Sequence, residues 1–394
     1  MNFELPSHLR EVRARVRTFV DERIIPNEAK IATETDRITL HALQAEVKQA
    51  GLWTPHLPRP LGGQGLGPMG MCTLFREMGR SPFGAKVFHC DAPDQGNMDL
   101  LLATANEAQK KRWLEPLVKG KITSAFCMTE PAPGAGADPT NLKTQAKEVD
   151  GGWEITGRKW FSTGARNAAF LIVMARTSDD PRTGATMFLV DREAKGVKYV
   201  RDVPTMGPVV LDHHEGEVEF EAVRVGADAV LQAVGTGFQL AQARLVPARL
   251  THCMRWLGLA TRAMELCKQY VTSRVSFGKE LARHQAIQTM IAENAAAIHM
   301  GNLMTFHCAW MLENGQAKEA KPYSSMAKVH VARLLCKVLD DAIQMHGAKG
   351  FSEDLPFSTW YRFARAARIA DGPDEVHQMT IARDWLLGRF DVLV

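Results

Sequence analysis

Apolar residues follow a helical spacing in the first and last thirds of the chain and a strand-like spacing between them. Over residues 8–20, Leu9, Val12, Val16 and Phe19 recur at helical intervals, and the pattern returns over 40–50 and 69–78. The first third is expected to be helical. Near Ala125 the spacing changes to short β-type runs at 153–156, 169–175, 186–190, 197–200 and 218–225, separated by turn signals such as Asp150-Gly151-Gly152 and residues 180–184. These runs predict a small antiparallel β domain. Past Gly235-Thr236-Gly237 helical spacing resumes over 238–275, 285–314 and 325–347, lengths that suit an up-and-down bundle. The predicted class is α+β: an N-terminal helical domain over 1–124, a central antiparallel β domain over 125–235 and a helical bundle over 236–394.

Composition narrows the function classes without altering this outline. At 394 residues the chain can bury a deep ligand site, and its 45% apolar and 23% charged content is that of an ordinary globular protein. The net charge of +4 is thinly spread, with Lys110-Lys111-Arg112 the one tight basic run, so no nucleic-acid role is expected. Seven cysteines, well separated and without a C-x-x-C pair, read as reduced thiols filling cores. The N-terminal stretch carries Glu4, Glu11 and Asp21 and no apolar run, so neither a secretory signal nor a transit peptide is expected. The longest apolar run, 168–175, falls far short of the roughly 20 residues of a membrane-spanning helix. A cytoplasmic protein without an integral membrane segment is the expectation.

Several stretches carry residue types suited to chemistry. Ala370-Asp371-Gly372-Pro373-Asp374-Glu375-Val376-His377 sets a carboxylate on a Gly-Pro turn that should open the last helix. Such a carboxylate can act as a base, or simply favour the positive end of the helix dipole. Phe126-Cys127-Met128-Thr129-Glu130-Pro131, followed by the small-residue loop 132–138, offers a hydroxyl and backbone N–H groups to a ring with carbonyl and N–H edges. In Gly157-Arg158-Lys159-Trp160-Phe161-Ser162-Thr163-Gly164 strand alternation places Trp160 with Ser162 and Phe161 with Thr163. Arg274-Val275-Ser276-Phe277-Gly278-Lys279 ends one helix at a glycine, His284-Gln285 opens the next, and Gln344-Met345-His346-Gly347-Ala348-Lys349-Gly350-Phe351 marks another glycine-punctuated helix end. The fork of Arg274 can engage two phosphate oxygens, or serve as a C-terminal charge.

Three other features read as structural. The glycine- and proline-rich stretch 58–67 has no preceding strand and no following Lys-Ser/Thr, so it satisfies neither a P-loop nor a Rossmann fingerprint. Asp212-His213-His214-Glu215 looks metal-like, yet neighbours on a strand point to opposite faces and cannot share an ion, so no metal is expected. Cys253, beside His252 in a helix, reads as core.

In this order and at these separations, the Met-Thr-Glu-Pro, Gly-Arg-Lys-Trp-Phe-Ser-Thr-Gly, Arg-x-x-Phe-Gly, Gln-x-x-Gly-x-x-Gly-Phe and acid-Gly stretches resemble the acyl-CoA dehydrogenase family over nearly the whole chain. The resemblance implies a C-terminal four-helix bundle and FAD held at a subunit interface of a homodimer or homotetramer. By motif position, Phe126, Met128 and Thr129 should line the flavin ring, with Phe161, Ser162 and Thr163 closing over it. Arg274, Phe277 and Gln285 should meet the pyrophosphate and adenosine, and Gln344 and Gly347 should come from the neighbouring subunit. The implied substrate is an acyl-CoA and the implied electron acceptor an electron-transfer flavoprotein.

Thioester α,β-dehydrogenation needs a carboxylate against the weakly acidic α-carbon while flavin N5 accepts the β-hydrogen as hydride. The family's base is most often a Glu before Gly, and the matching residue here is Asp371, followed by Gly372. Asp is shorter by one methylene, so the backbone must shift or the substrate must lie differently. Asp374 and Glu375 stand in reserve. A second family position for the base matches Ala248, which cannot accept a proton, and Arg249 beside it is a candidate substrate or CoA contact. The wording around Asp371, with Arg-Leu-x-Pro-x-Arg and His-Cys-Met-Arg, resembles the dehydrogenase domains found fused to kinase-like domains, some of which process 4-hydroxyacyl-CoAs. A nitroalkane oxidase-like flavoenzyme, which also uses an Asp base, and a flavin- or CoA-binding protein without turnover are the alternatives.

Overall fold

The computed structural model describes residues 4–180, 183–206 and 214–391. These form two compact units, one of Met1–Phe88 with Arg249–Val394 and one of His89–Ala248.

The second unit is built on a sheet of strands β1 (Ser124–Cys127), β2 (Gln145–Val149), β3 (Gly152–Thr163), β4 (Phe170–Arg176), β5 (Ala185–Asp191), β6 (Val197–Asp202) and β7 (Glu215–Gly226). Its order is β1-β4-β2-β3-β7-β6, with β5 also on β4. Pairing is antiparallel for β2–β3, β3–β7, β6–β7 and β4–β5, whereas β1 runs parallel to β4 and β2 meets β4 in parallel at Gln145 and Arg176. The run 170–175 is buried throughout because β4 sits inside the sheet, which is why its sequence is continuously apolar instead of alternating. β1 and β2 were not among the expected runs. β2 reads Gln-Ala-Lys-Glu-Val, too polar to signal a strand, and it is recruited by the Asp150-Gly151 hairpin to β3.

The first unit is helical. Its N-terminal part contains α1 (Ser7–Phe19), α2 (Ile38–Gln49) and α3 (Pro68–Met78), near the predicted positions. Its C-terminal part is a bundle of α4 (Gly237–Ser273, from Arg249 onward in this unit), α5 (Gln285–Glu313), α6 (Ala320–His346), α7 (Phe357–Arg365) and α8 (Asp374–Leu386). Leu257, Ala260 and Cys267 of α4, Val331, Leu335 and Val338 of α6, and Phe357 and Trp360 of α7 share one core. Charged side chains fix α4 to the N-terminal helices. Arg80 binds Glu265 through both terminal nitrogens (2.9 and 2.7 Å) and Asp21 through Nε (2.8 Å), and Arg262 clamps Glu28. Bidentate pairing makes these ties directional, so α4 is held in rotation as well as position. That rotation aims the residues of the site.

All seven cysteines are free, six of them buried and Cys336 half-buried. Among the described residues no helix is long and apolar enough to cross a membrane.

Candidate active site

Asp371 sits on a turn whose backbone is pinned from three sides. Its φ of 53° is left-handed, a conformation Asp tolerates better than most residues, and Gly372 follows at φ 101°. The Asp371 carbonyl accepts from Arg249 Nε (3.0 Å) and His377 Nε2 (3.2 Å), and the Gly372 carbonyl accepts from Lys328 Nζ (2.6 Å). Pro373 precedes the first residue of α8, with Asp374 and Glu375 in the first turn, as the Gly-Pro wording predicts.

The polar groups around this turn have separate tasks. A carbonyl can only accept, so His377 Nε2 carries the proton and Nδ1 accepts from Ser325 Oγ at 3.1 Å. Burial, with Arg249 and Lys328 nearby, pushes this imidazole down to about 4, so it is neutral at pH 7. Asp374 is fully buried and accepts from Arg333 Nε (2.9 Å) and Arg368 Nε (2.8 Å). Burial alone would raise it, but the two guanidinium groups outweigh that and hold it below the usual carboxylate range. Asp374 is therefore a structural anchor, not a reserve base, and Glu375 is exposed.

The Asp371 carboxylate itself is about one-fifth exposed, and its Oδ2 lies 3.1 Å from His252 Nε2. On the other side of that ring, Arg255 Nη2 lies 2.8 Å from Nδ1, and the ring stacks on Trp256 with centroids 5.3 Å apart. Cys253 is fully buried, as its reading as core expects, and His252 beside it is half-buried. The spacing of His252 and Arg255, three apart on one helix face, was the available signal for their contact.

In the β unit, two of the singled-out stretches lie side by side. Trp160 N donates to the Thr129 carbonyl (3.0 Å), and Lys159 Nζ donates to the Met128 carbonyl (3.0 Å) and to Glu130 Oε1 (2.8 Å). Both charged side chains of that pair are buried. Burial would raise Glu130, yet Lys159 and the Lys143 and Thr144 donors hold it down to about 2. The amides of Ala135, Lys143 and Thr144 all point at this carboxylate. Within the small-residue loop Ala135 is thus turned inward, whereas residues 132, 133 and 136–138 are exposed. What stays available is a half-buried row of Phe126, Met128, Thr129 and Trp160, with Phe161 44% exposed. Phe161 has φ 49° and lies in a register shift between Lys159 and Ser162, so the simple alternation expected along this strand is interrupted. Ser162 is fully buried beside the Cys127 thiol, and its Oγ has no stronger partner among the described residues.

In the helical unit, Arg274 follows the end of α4 and opens a two-residue hairpin, Val275–Ser276 against Lys279–Glu280. Its central residues, Phe277 (φ 52°) and Gly278 (φ 76°), both have the left-handed sign that such tight hairpins require. Glycine takes this conformation freely, whereas Phe277 bears it while 96% exposed. Gln285 is exposed at the start of α5, next to His284, whose ring meets Phe277 edge-on. Gln344 and Gly347 close α6 at the same end of the bundle, since His346 stacks on Tyr270 of α4 at 4.3 Å.

Of the metal-like run, Asp212 and His213 lie outside the described residues, and His214 Nδ1 is 3.2 Å from Asp202. Among the described residues no group of three or more His, Cys, Asp or Glu side chains is arranged to hold an ion.

Three domain signatures match the chain in sequence: acyl-CoA dehydrogenase N-terminal domain over 6–121, middle domain over 125–223 and C-terminal domain over 235–386. The chain belongs to the acyl-CoA dehydrogenase family. Within this family of oxidoreductases it is 37% identical to "Probable acyl-CoA dehydrogenase FadE2" of Mycobacterium tuberculosis, covering 97% of this chain and 96% of that one. It is 36% identical to mouse (Mus musculus) acyl-CoA dehydrogenase family member 11 over 95% of this chain, but spans only 50% of that protein's length. Among solved structures, a candidate acyl-CoA dehydrogenase from Mycobacterium abscessus superposes with a TM-score of 0.93 at 37% identity, over 98% of this chain and 100% of that one. The acyl-CoA dehydrogenase fold, with N-terminal helical, middle β and C-terminal helical domains, is the one described above.

Proposed function

We propose that this chain catalyses FAD-dependent α,β-dehydrogenation of an acyl-CoA thioester, with Asp371 removing the α-proton. The observation that carries the reading is the Asp371 carboxylate, partly exposed on a turn whose own and following carbonyls are both pinned. A base of this kind must be ionised, accessible and unable to drift from the carbon it deprotonates. Asp371 has the accessible side chain and the fixed backbone, whereas Asp374 is consumed by two arginines. The left-handed backbone at Asp371 is the local bend through which the shorter side chain is presented.

FAD suits the residues of the β unit. The half-buried row of Phe126, Met128 and Thr129 offers an apolar platform with a hydroxyl at its edge, and the Ser162 Oγ offers a buried polar atom in want of a strong partner. In this reading Phe126, Met128, Thr129, Phe161, Ser162 and Thr163 hold the ring, and Arg274, Phe277 and Gln285 meet the pyrophosphate and adenosine. When bound, FAD supplies the acceptor for the β-hydrogen. Gln344 and Gly347 reach the flavin of a neighbouring subunit in a homodimer or homotetramer, and Arg249, Gly372 and the backbone around them border the thioester. An electron-transfer flavoprotein takes the electrons onward in the cytoplasm.

The test is the anaerobic visible spectrum of the holoprotein before and after a panel of acyl-CoAs graded in length, branching and 4-hydroxylation. Bleaching by at least one thioester, abolished in Asp371→Asn, is the expected result. A flavin that stays oxidised with every thioester overturns the reading, and oxygen uptake with nitroalkanes would then favour the oxidase chemistry an Asp base also permits.

A further inference from the structure

Thr163 is the last residue of β3 and Glu215 the first of β7, and the antiparallel register sets the two directly opposite each other. Residues so placed put their side chains on one face of the sheet, close enough to bond. Thr163 Oγ1 donates to Glu215 Oε2 at 2.8 Å. The register shift between Lys159 and Ser162 prepares this contact, because the extra residue on β3 changes which of its later side chains meet β7.

Glu215 is treated differently from the next carboxylate on its strand. Glu217, two positions further along β7, is buried and takes Arg158 Nε at 2.9 Å and Arg201 Nε at 2.6 Å. Glu215 is half-buried, and among the described residues its partner is the Thr163 hydroxyl and no cation. Burial lifts its pKa, and the bond from Thr163 opposes the lift. A carboxylate held this way adds little to the stability of the sheet. What it does fix is the direction of one hydroxyl. A threonine hydroxyl has one O–H to give and two lone pairs, and Glu215 accepts the O–H. Toward anything else, Thr163 is left to act as an acceptor.

We propose that Glu215 is a positioning residue for the cofactor site: it holds the Thr163 hydroxyl as an acceptor, which receives an N–H or O–H donor of FAD and not one of its carbonyls. The inference rests on the reading that Thr163 lies against the flavin. It adds to that reading a carboxylate that need not touch the cofactor, and the direction of one contact.

The experiment is titration of the apoprotein with FAD, followed by flavin fluorescence, beside thermal unfolding of the same apoprotein. The parent is compared with Glu215→Leu, Glu215→Gln, Thr163→Val and the Thr163→Val/Glu215→Leu double variant. Leu removes the acceptor at similar size, whereas the side-chain carbonyl of Gln can still take the Thr163 O–H. Glu215→Leu should bind FAD about fivefold to tenfold more weakly while melting at or above the parental temperature, since a half-buried charge has been removed. Glu215→Gln should stay within about threefold of the parent. Thr163→Val should lose at least as much affinity as Glu215→Leu, and adding Glu215→Leu to it should cost nothing further, because both act through one hydroxyl. The double variant also removes the carboxylate that Thr163→Val leaves without its donor, which keeps the comparison on a folded protein. Parental FAD affinity in Glu215→Leu overturns the proposal. So does a loss that persists on the Thr163→Val background, or one that appears only with an equal fall in melting temperature. Parental affinity in Thr163→Val instead removes Thr163 from the cofactor contacts, and a parent apoprotein that takes up no FAD removes the cofactor reading itself, which separates the failures.

Discussion

Lys328 donates to the carbonyl of Gly372 at 2.6 Å from a side chain that is fully buried in the bundle. A lysine placed there must be matched by acceptors, and it has that carbonyl together with Asp374 at 3.9 Å. Burial lowers its pKa and Asp374 opposes the shift. Lys328→Met preserves the volume and removes the donor. The turn should loosen, with an expected loss of about 1.5–3 kcal/mol in urea unfolding, the range for a hydrogen bond to a charged group. Flavin reduction should slow in parallel, because Asp371 rides on the same turn.

Gly372 shows how little room the turn has. Its φ is 101°, and a Cβ added there would lie 2.9 Å from His377 Nε2. Gly372→Ala therefore imposes a strained backbone and pushes away the ring that holds the Asp371 carbonyl. A cost of about 2 kcal/mol or more is expected, read as a lower melting temperature, with flavin reduction falling further than stability alone accounts for. An alanine variant with unchanged melting temperature and activity would show that the turn can re-form around a side chain.

The legible parts of this protein are those set by neighbours in sequence. The long helices, five of the strands and the Asp371-Gly372-Pro373 turn follow from local periodicity and turn chemistry. What escaped is set by partners far along the chain. β2 is too polar to announce itself and exists because a hairpin lays it on β3. The alternation expected over Trp160 to Thr163 is broken by the register shift at Phe161, which depends on β7. His252 lies beside Asp371 only because the chain returns to α4 at that turn. Asp374, which looked like a spare base, is claimed by arginines of α6 and of the segment before the turn.

The buried His377 should leave a mark on acid stability. Its folded value is about 4, against an ordinary histidine value near 6.5, so between these values the unfolded chain binds more protons than the folded one. Stability therefore falls as pH drops from about 6.5 toward 4, by on the order of 3 kcal/mol in total. Glu130, held down to about 2, adds a loss of the same sign only below about 4.5, so the two contributions separate in pH. His377→Gln should be less stable at pH 7.5 but lose less on acidification to pH 5. His346, also lowered by burial, acts equally in both proteins and cancels in the comparison. Identical slopes between pH 7.5 and 5 would mean that His377 does not carry the effect.

Ser162 separates a fold role from a cofactor role. A buried hydroxyl with no strong partner contributes little to the apoprotein, so Ser162→Ala should leave its melting temperature nearly unchanged. If the hydroxyl meets a flavin edge, the same change removes one hydrogen bond from the bound state, and FAD affinity should fall about fivefold, corresponding to ~1 kcal/mol. Titration of apoprotein with FAD, followed by flavin fluorescence, reads the affinity, and thermal unfolding of the apoprotein reads the fold. Weaker binding with an unchanged melting temperature assigns Ser162 to the flavin. Unchanged affinity removes it from the cofactor contacts, and a lower melting temperature would show that the Cys127 thiol is a stronger partner than its chemistry suggests.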